Sequence, residues 1–289
     1  MDKGLYPALV TPFKPNEELD ENALIDCVEK QMRMEISGFY VGGSTGEFIL
    51  MSLEERKRLL EIVCQTAKGK KAVVAHIGCQ RPRDSIELAR HAAENGACAV
   101  SSLPPLYFKY TLDELIAYYA AIADAVDLPL IVYNAPALAN VEFNAENTRP
   151  LFRHERISGM KFTSYNLFEM QKILAEHPDK ILINGHDELF LNTLSFGLKH
   201  AIGSTFNFMA NKFAAIRRTF LAGDMDRAYA LQLEANQVIS ALMEVGVFRG
   251  VKGMMRIQGM PVGDCRAPFK PLTLEEMHRL EAVAPLAEC

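Results

Sequence analysis

Short apolar runs alternate with segments of helical periodicity along most of the chain. In segment 21–36, for example, Leu24, Ile25, Val28 and Met32 recur at the spacing of one helix face. Short apolar runs bounded by turn residues are typical of buried strands. The predicted strands lie at 5–10, 38–43, 72–77, 97–103, 128–133, 157–161, 181–184 and 200–203.

Capping residues mark several ends of the intervening helices. Ser52 with Glu55, and Thr111 with Glu114, have the spacing of a capping box, which opens a helix. Gly96 suits the left-handed residue that closes one. The predicted helices lie at 21–36, 52–67, 84–95, 144–152, 166–177, 188–196 and 212–221, with one more that begins at 111. Three further helices are predicted at 228–245, 251–258 and 273–284, and no strand lies among them.

Eight strand–helix units in succession predict a (β/α)8 TIM barrel, because right-handed parallel crossovers close such a chain into a ring. We assign residues 1–223 to the barrel. Residues 224–289 are expected to form a C-terminal helical extension packed on it, within a single structural unit. An open, doubly wound sheet is the alternative, but no glycine fingerprint follows the first strand.

Composition and charge exclude several classes of function. The 289 residues are 49% hydrophobic and 23% charged, which is the balance of a soluble globular enzyme. The net charge of −5 predicts neither nucleic acid nor an anionic membrane as a partner. No apolar run approaches the roughly 20 residues that span a bilayer, and no signal-peptide core is visible. The six cysteines are scattered, which indicates free thiols in a reducing cytoplasm.

In a TIM barrel the active site lies at the C-terminal ends of the strands, where this chain places polar residues. Lys161 stands there with mostly apolar neighbours, which disfavour a charged ammonium, and a neutral amine can form a Schiff base with a ketone. A surface lysine that merely closes a strand is the alternative. A Gly-Gly-Ser-Thr-Gly turn offers several N–H donors to a carboxylate. The polar strand ends are Thr11, Ser44-Thr45, His76, Tyr133, Lys161-Thr163, Asp187-Glu188 and Ser204.

From about Gly4 to Pro268 the chain resembles the dihydrodipicolinate synthase and N-acetylneuraminate lyase family of class I aldolases. The resemblance depends on six motifs in order: Gly42-Gly43-Ser44-Thr45-Gly46-Glu47, Tyr133-Asn134-Ala135-Pro136-Ala137-Leu138, Gly159-Met160-Lys161-Phe162-Thr163, Asn184-Gly185-His186-Asp187-Glu188, Ile202-Gly203-Ser204-Thr205-Phe206-Asn207 and Phe248-Arg249-Gly250-Val251-Lys252. The resemblance implies cleavage of N-acetylneuraminate to pyruvate and N-acetylmannosamine, with no metal and no organic cofactor. It also implies a homotetramer.

Residue roles follow from the same resemblance. Lys161 matches the Schiff-base lysine, and Tyr133 matches the tyrosine that transfers a proton. Ser44 and Thr45 match the pair that binds the carboxylate of the 2-keto acid. Tyr107 or, in competition with it, Tyr110 matches a tyrosine that reaches toward a neighbouring subunit. The positions that hold the sugar are Thr163, Gly185, Asp187, Glu188 and Ser204.

Purely structural roles stay open for several of these residues. Tyr133 could be an ordinary strand aromatic, and Ser44-Thr45 a simple helix-entry turn. Asp187 and Glu188 could complement a helix dipole, and Ser204 could be only an N-cap.

Other functions stay open as well. A dihydrodipicolinate synthase usually carries an arginine after the tyrosine strand, but segment 136–140 has no cation, which favours a sugar-acid aldolase. Other pyruvate-dependent aldolases or dehydratases of the family, including 2-keto-3-deoxy sugar acid aldolases, and a non-catalytic sugar-acid binder are the alternatives. Ala139-Asn140 stands where the lyases usually have a Ser/Thr-Gly pair, and Phe162 is expected to shape the pocket.

Overall fold

The computed structural model of the chain describes residues 2–288, in which eight parallel strands form one sheet. Neighbouring strands follow the order β1-β8-β7-β6-β5-β4-β3-β2. A parallel bridge between Ala8 and Tyr40 joins the two ends, so the predicted (β/α)8 barrel is confirmed. The strands are β1 (Gly4–Pro7), β2 (Gly38–Val41), β3 (Ala72–His76), β4 (Ala99–Ser102), β5 (Leu130–Asn134), β6 (Ile157–Phe162), β7 (Ile181–Asn184) and β8 (His200–Gly203).

Helices follow the strands as predicted, and both capping boxes, at Ser52 with Glu55 and at Thr111 with Glu114, are formed. Gly96 has a φ of +81°, the left-handed conformation expected after a helix. The helices are α1 (Glu21–Gln31), α2 (Leu53–Ala67), α3 (Pro82–Glu94), α4 (Leu112–Ala125), α5 (Pro136–Ala139), α6 (Ala145–Leu151), α7 (Leu167–Glu176), α8 (Phe190–Ser195), α9 (Phe206–Leu221), α10 (Met225–Val245), α11 (Val247–Ile257) and α12 (Leu274–Val283).

Two helix boundaries and one short helix differ from the sequence prediction. α1 ends at Gln31, well before residue 36. α9 begins at Phe206 instead of residue 212, and Met209 inside it has the non-helical angles φ −131° and ψ 32°. This kink interrupts the regular spacing of apolar residues, so the first turns of α9 carry no clear helical periodicity. The short helix α5 was not predicted, because a single turn has too few residues to establish a period.

Two apolar layers surround the strands. Inside the barrel a small cluster includes Tyr6, Tyr40 and Ile183, whereas a larger cluster fills the space between strands and helices. Successive side chains of a strand point to opposite faces. Phe162 therefore belongs to the outer cluster, and the expectation that it shapes the pocket is wrong.

The C-terminal helices pack on the barrel, since α10 contacts α8 and α9 and in turn supports α11 and α12. The division at residue 223 stays a prediction; Met1 and Cys289 lie outside the described residues. None of the helices between residues 2 and 288 combines the length and the apolar character needed to cross a membrane. The described cysteines are free thiols: Cys27, Cys64, Cys79, Cys98 and Cys265.

Candidate active site

A cavity of about 250 Å³ opens at the C-terminal ends of the strands. Most of the residues selected from the sequence line it, and Lys161 is the only lysine or arginine among its described lining residues. The C-terminal helices α10 and α11 also contribute to its wall. The predicted residues in the lining are Ser44, Thr45, Tyr133, Lys161, Thr163, Gly185, Asp187, Glu188 and Ser204.

Lys161 and Tyr133 form the centre of the cavity. They are paired in the register of β5 and β6, so both side chains enter the barrel from adjacent strands. The Lys161 side chain is buried, and its Nζ lies 3.8 Å from the centroid of the Tyr133 ring and 5.1 Å from that of Tyr40. Aromatic rings thus border the amine on two sides, which keeps bulk water away from it.

Tyr133 is a phenol with unusual acidity. Burial raises its pKa, but the charge of Lys161 and the polar groups of Lys161, Ser44 and Thr163 outweigh burial, so that the pKa lies below its ordinary value. The hydroxyls of Ser44 and Thr163 are buried, yet neither makes a hydrogen bond of regular geometry. The phenol can therefore exchange a proton with a group bound beside Lys161.

A tight turn after β2 presents Ser44 and Thr45. Gly42 has a φ of +70°, and a Cβ on Gly43 would lie 2.5 Å from the Tyr40 ring, so glycine is required at both positions. Ser44–Gly46 then forms a 3₁₀ turn. Thr45 Oγ1 lies 2.7 Å from the hydroxyl oxygen of Ser204, which directly follows β8. The turn and the end of β8 thus place hydroxyls together where a carboxylate would fit.

A buried ion pair supports this turn from the C-terminal extension. Glu47 follows the turn with a φ of +61°, and its carboxylate lies 2.7 Å from Nζ of Lys252 in α11, with both side chains almost fully buried. The backbone N–H of Arg266 donates to the other oxygen of Glu47 at 2.8 Å. Both Glu47 and Lys252 stand in motifs that the sequence singled out, but the pairing of residues so distant in the chain was not predicted.

Breaking this pair is expected to lower the free energy of unfolding by about 3–5 kcal/mol, because Lys252→Met leaves the Glu47 carboxylate buried without its cation. Urea denaturation of the variant measures the loss. Arg279→Met, which removes one partner of the exposed pair with Glu275, is the control and should leave stability almost unchanged. Equal losses in the two variants would contradict a structural role for the buried pair.

Two glycines at the ends of β7 and β8 shape another part of the cavity wall. A Cβ on Gly185 would lie 1.9 Å from Oγ1 of Thr163, and a Cβ on Gly203 would lie 2.0 Å from Oδ1 of Asp187. Their lack of a side chain is what allows Thr163 and Asp187 to occupy the cavity wall. Gly185 therefore acts by leaving space, in addition to lying in the lining itself.

Asp187 is held from one side only. Its Oδ2 accepts hydrogen bonds from the N–H and the hydroxyl of Thr205 at 3.0 and 2.7 Å, whereas the buried Oδ1 has no hydrogen-bond partner among the described residues. Burial raises the pKa of Asp187 to about 6, although the two bonds from Thr205 oppose that shift. One oxygen of this buried carboxylate is thus left without a hydrogen-bond donor in the cavity wall.

Glu188 lies at the outer end of the cavity with two residues that the sequence analysis did not select. Its Oε1 accepts a hydrogen bond from the Tyr165 hydroxyl at 2.7 Å, and His186 Nδ1 lies 3.0 Å from the same oxygen. Both Tyr165 and His186 line the cavity. His186 lies within one of the six motifs, and Tyr165 lies in the polar turn that follows β6. Their positions after strand ends were the sequence signal that could have placed them at the cavity.

Comparison with known proteins agrees with this geometry. The model of the dihydrodipicolinate synthetase family matches residues 1–286. The chain belongs to this family. An N-acetylneuraminate lyase of Rhizobium meliloti (strain 1021) is 41% identical to this family member over 285 residues, covering 98% of this chain and 95% of the relative.

Solved structures of two other relatives superimpose on nearly the whole chain. CdNal from Clostridium difficile in complex with mannosamine is 30% identical, with a TM-score of 0.95 and coverage of 99% of both chains. A catalytic lysine mutant of the Ruminococcus gnavus sialic acid aldolase is 28% identical, with a TM-score of 0.95 and coverage of 99% of this chain and 95% of that one.

Two residues at the predicted strand ends, Thr11 and His76, do not line the cavity of this family member. Thr11 donates a hydrogen bond to the carbonyl of Gly46 at 2.7 Å, so it supports the Ser44–Gly46 turn from outside. His76 lies behind Tyr133, with ring centroids 6.2 Å apart, and burial together with the Arg56 charge lowers its pKa well below the ordinary value. The prediction that Thr11 and His76 converge on the mouth is therefore wrong.

Tyr107 also lies outside the cavity. It is 84% exposed, has a φ of +81° and packs edge-on against Phe108, with ring centroids 5.0 Å apart. Its predicted place at a contact between subunits stays a prediction.

The departure from the family pattern at Ala139-Asn140 lies at the end of α5. Asn140 has a φ of +52° and a ψ of +18°, the left-handed conformation that glycine adopts freely. Asparagine is one of the few other residue types that adopt this conformation. Ala139 is buried, while the neighbouring Leu138 lines the cavity. Asn140 is therefore compatible with a turn that glycine would also allow.

Proposed function

We propose that the protein is a class I aldolase that cleaves N-acetylneuraminate to pyruvate and N-acetylmannosamine through an imine on Lys161. The observation that carries the proposal is the buried Lys161 amine, 3.8 Å from the ring centroid of a Tyr133 whose pKa is lowered. Family membership and the 41% identical lyase support the same reaction. The catalytic lysine of the Ruminococcus gnavus aldolase supports the role of Lys161.

The reaction begins when the neutral Lys161 amine attacks C2 of the open-chain 2-keto acid. The adduct takes up one proton, from Tyr133 or from solvent, and loses water, which leaves a protonated imine that can accept an electron pair. Tyr133, ionised beside this positive charge, then receives the proton of the C4 hydroxyl, directly or through the substrate carboxylate. The C4 oxygen forms the aldehyde as the C3–C4 bond breaks, and the electrons of that bond pass into the imine to give an enamine.

The second half of the reaction releases pyruvate. A proton returns to C3 of the enamine, which restores the imine, and water hydrolyses the imine to free pyruvate and the Lys161 amine. Ser44 and Thr45 bind the carboxylate throughout, because both residues line the same cavity as Lys161. Asp187, Glu188 and the hydroxyls of Thr163 and Ser204 bind the sugar portion, and Gly185 leaves room for Thr163.

The charge of the cavity favours a neutral, hydroxyl-rich aldehyde over an aldehyde that carries an acid. No arginine, and no lysine other than Lys161, lies among the described lining residues. The reaction of a dihydrodipicolinate synthase would leave the second carboxylate without a cation. Cleavage of a 2-keto-3-deoxy sugar acid by the same imine remains the second candidate, because Asp187 and Glu188 suit any polyol.

The first test is pyruvate release from N-acetylneuraminate, followed through a lactate dehydrogenase couple. Release is the expected result. If no pyruvate is released but borohydride still traps pyruvate on Lys161, the aldolase class holds and the aldehyde is a different one. If trapping also fails in folded protein, the protein is a sugar-acid binder.

We further propose that the enzyme is a cytoplasmic homotetramer. Support for an assembly comes from an exposed apolar surface that includes Ile49, Tyr107 and Phe108, which are 63%, 84% and 65% exposed. Exposed aromatic residues of this kind are common at contacts between subunits. Support for the cytoplasm comes from the free thiols of the described cysteines.

A further inference from the structure

Tyr165, His186 and Glu188 form a connected cluster at the outer end of the cavity. The rings of Tyr165 and His186 stack, with centroids 4.3 Å apart and an angle of 22° between their planes. Both side chains present a polar atom to the same oxygen of Glu188, the Tyr165 hydroxyl at 2.7 Å and His186 Nδ1 at 3.0 Å. None of the six motifs named above includes Tyr165, and the reaction steps described above do not use it.

We infer that Tyr165 and His186 are positioning residues that hold Oε1 of Glu188 and thereby turn Oε2 toward the distal hydroxyls of the substrate. This inference rests on the proposed function and specifies how the same cavity selects its sugar. Both contacts are to Oε1, and among the described residues no side chain donates to Oε2. A fixed carboxylate with one free oxygen recognises hydroxyl donors and rejects anionic groups.

The ionisation states of the cluster are consistent with this role. Hydrogen bonding to Glu188, followed by burial, raises the pKa of Tyr165 to about 12, so the phenol remains a donor at neutral pH. Burial raises the pKa of Glu188, but contacts with His186 and Tyr165 outweigh burial, and the net pKa lies below its ordinary value. Glu188 is therefore an ionised acceptor under the same conditions.

Backbone contacts from two directions hold the loop that carries Glu188. The Asn184 amide donates to the carbonyl of His186 at 2.8 Å. From α10, Gln232 donates to the carbonyl of Asp187 at 3.2 Å, and Asn236 donates to that of Glu188 at 3.3 Å. The backbone is thus fixed independently of Tyr165, so removal of the Tyr165 hydroxyl frees the carboxylate without unfolding the loop.

The test compares a substrate that reaches the cluster with one that does not. Tyr165→Phe keeps the ring stack but removes the donor to Glu188. We expect its kcat/KM for N-acetylneuraminate to fall about tenfold, mainly through KM, which is the effect of losing one hydrogen bond to a charged group. The pyruvate concentration that gives half-maximal borohydride trapping should stay unchanged, because pyruvate lacks the distal hydroxyls.

Two further variants make the test specific. Tyr229→Phe removes the hydroxyl of an exposed tyrosine on α10 outside the cavity lining, and should change neither readout. In the Glu188→Ala background, Tyr165→Phe should cause no additional loss, because residues that act through one another are not additive.

Each other outcome overturns the inference. An equal effect of Tyr165→Phe on N-acetylneuraminate cleavage and on pyruvate trapping would indicate a general structural role. No effect on either, or a full additional loss in the Glu188→Ala background, would separate Tyr165 from Glu188. A wild-type enzyme that traps pyruvate but does not cleave N-acetylneuraminate would overturn the proposed function itself, and that result is visible before any variant is made.

Discussion

Lys161→Ala is expected to lose all borohydride trapping of pyruvate and to retain turnover lower by roughly 10⁴-fold or more, the scale of removing a covalent nucleophile. The physical reason is that no other described amine lines the cavity, so no second group can form the imine. Pyruvate release through a lactate dehydrogenase couple measures turnover. Mass spectrometry of the borohydride-reduced protein measures the adduct.

The control for this prediction is Lys172→Ala. Lys172 lies on α7 with a partly exposed side chain paired to Glu169, outside the cavity. This variant should keep both turnover and trapping. Full turnover by Lys161→Ala would refute the imine mechanism, and an adduct that persists in that variant would move the imine to another lysine.

Tyr133→Phe should lower kcat by about 10²–10⁴-fold, the range associated with loss of a positioned acid–base group. Its ring still packs against Lys161, so pyruvate trapping should remain close to that of the wild type. Separate effects on the two measurements distinguish proton transfer from imine formation. Single-turnover release of pyruvate from N-acetylneuraminate reports the step that the phenol assists.

Tyr40→Phe is the matched control for Tyr133→Phe. The Tyr40 ring also borders Lys161, but its hydroxyl contacts Ser101 Oγ at 3.2 Å in the barrel interior. This variant should retain most of the turnover. If Tyr40→Phe and Tyr133→Phe were impaired equally, packing of the two rings around the lysine would explain the effect, and a proton-transfer role for Tyr133 would be wrong.

Alternation of strands and helices was sufficient to predict the barrel, and strand ends were sufficient to predict most of the polar residues that line the cavity. Which face of a strand enters the barrel was harder to predict. β6 is buried on both faces, so its sequence is largely apolar and carries no inward–outward pattern around Lys161 and Phe162. The predictions for Thr11 and His76 were wrong for a related reason. A polar residue near a strand end can hydrogen-bond to the backbone of a neighbouring turn instead of facing the cavity.

Contacts between distant parts of the chain set the limit of prediction. Glu47 and Lys252 are 205 positions apart, and nothing in their local sequences indicates that a carboxylate and an ammonium are buried together. The Tyr165–Glu188 hydrogen bond joins two loops that follow different strands, so it too depends on the closed barrel. Such pairs become visible only when the strand register is known.

The cavity draws its reactive groups and much of its apolar wall from separate parts of the chain. Lys161 and Tyr133 belong to strands, whereas Leu242, Met243 and Phe248, which complete the wall, belong to α10, the helix that packs on the barrel, and to α11. Variation in the helices therefore does not have to disturb the amine or the phenol. A library confined to residues 239–248 could evolve aldolases for new aldehydes while every member inherits the same carbon–carbon bond chemistry.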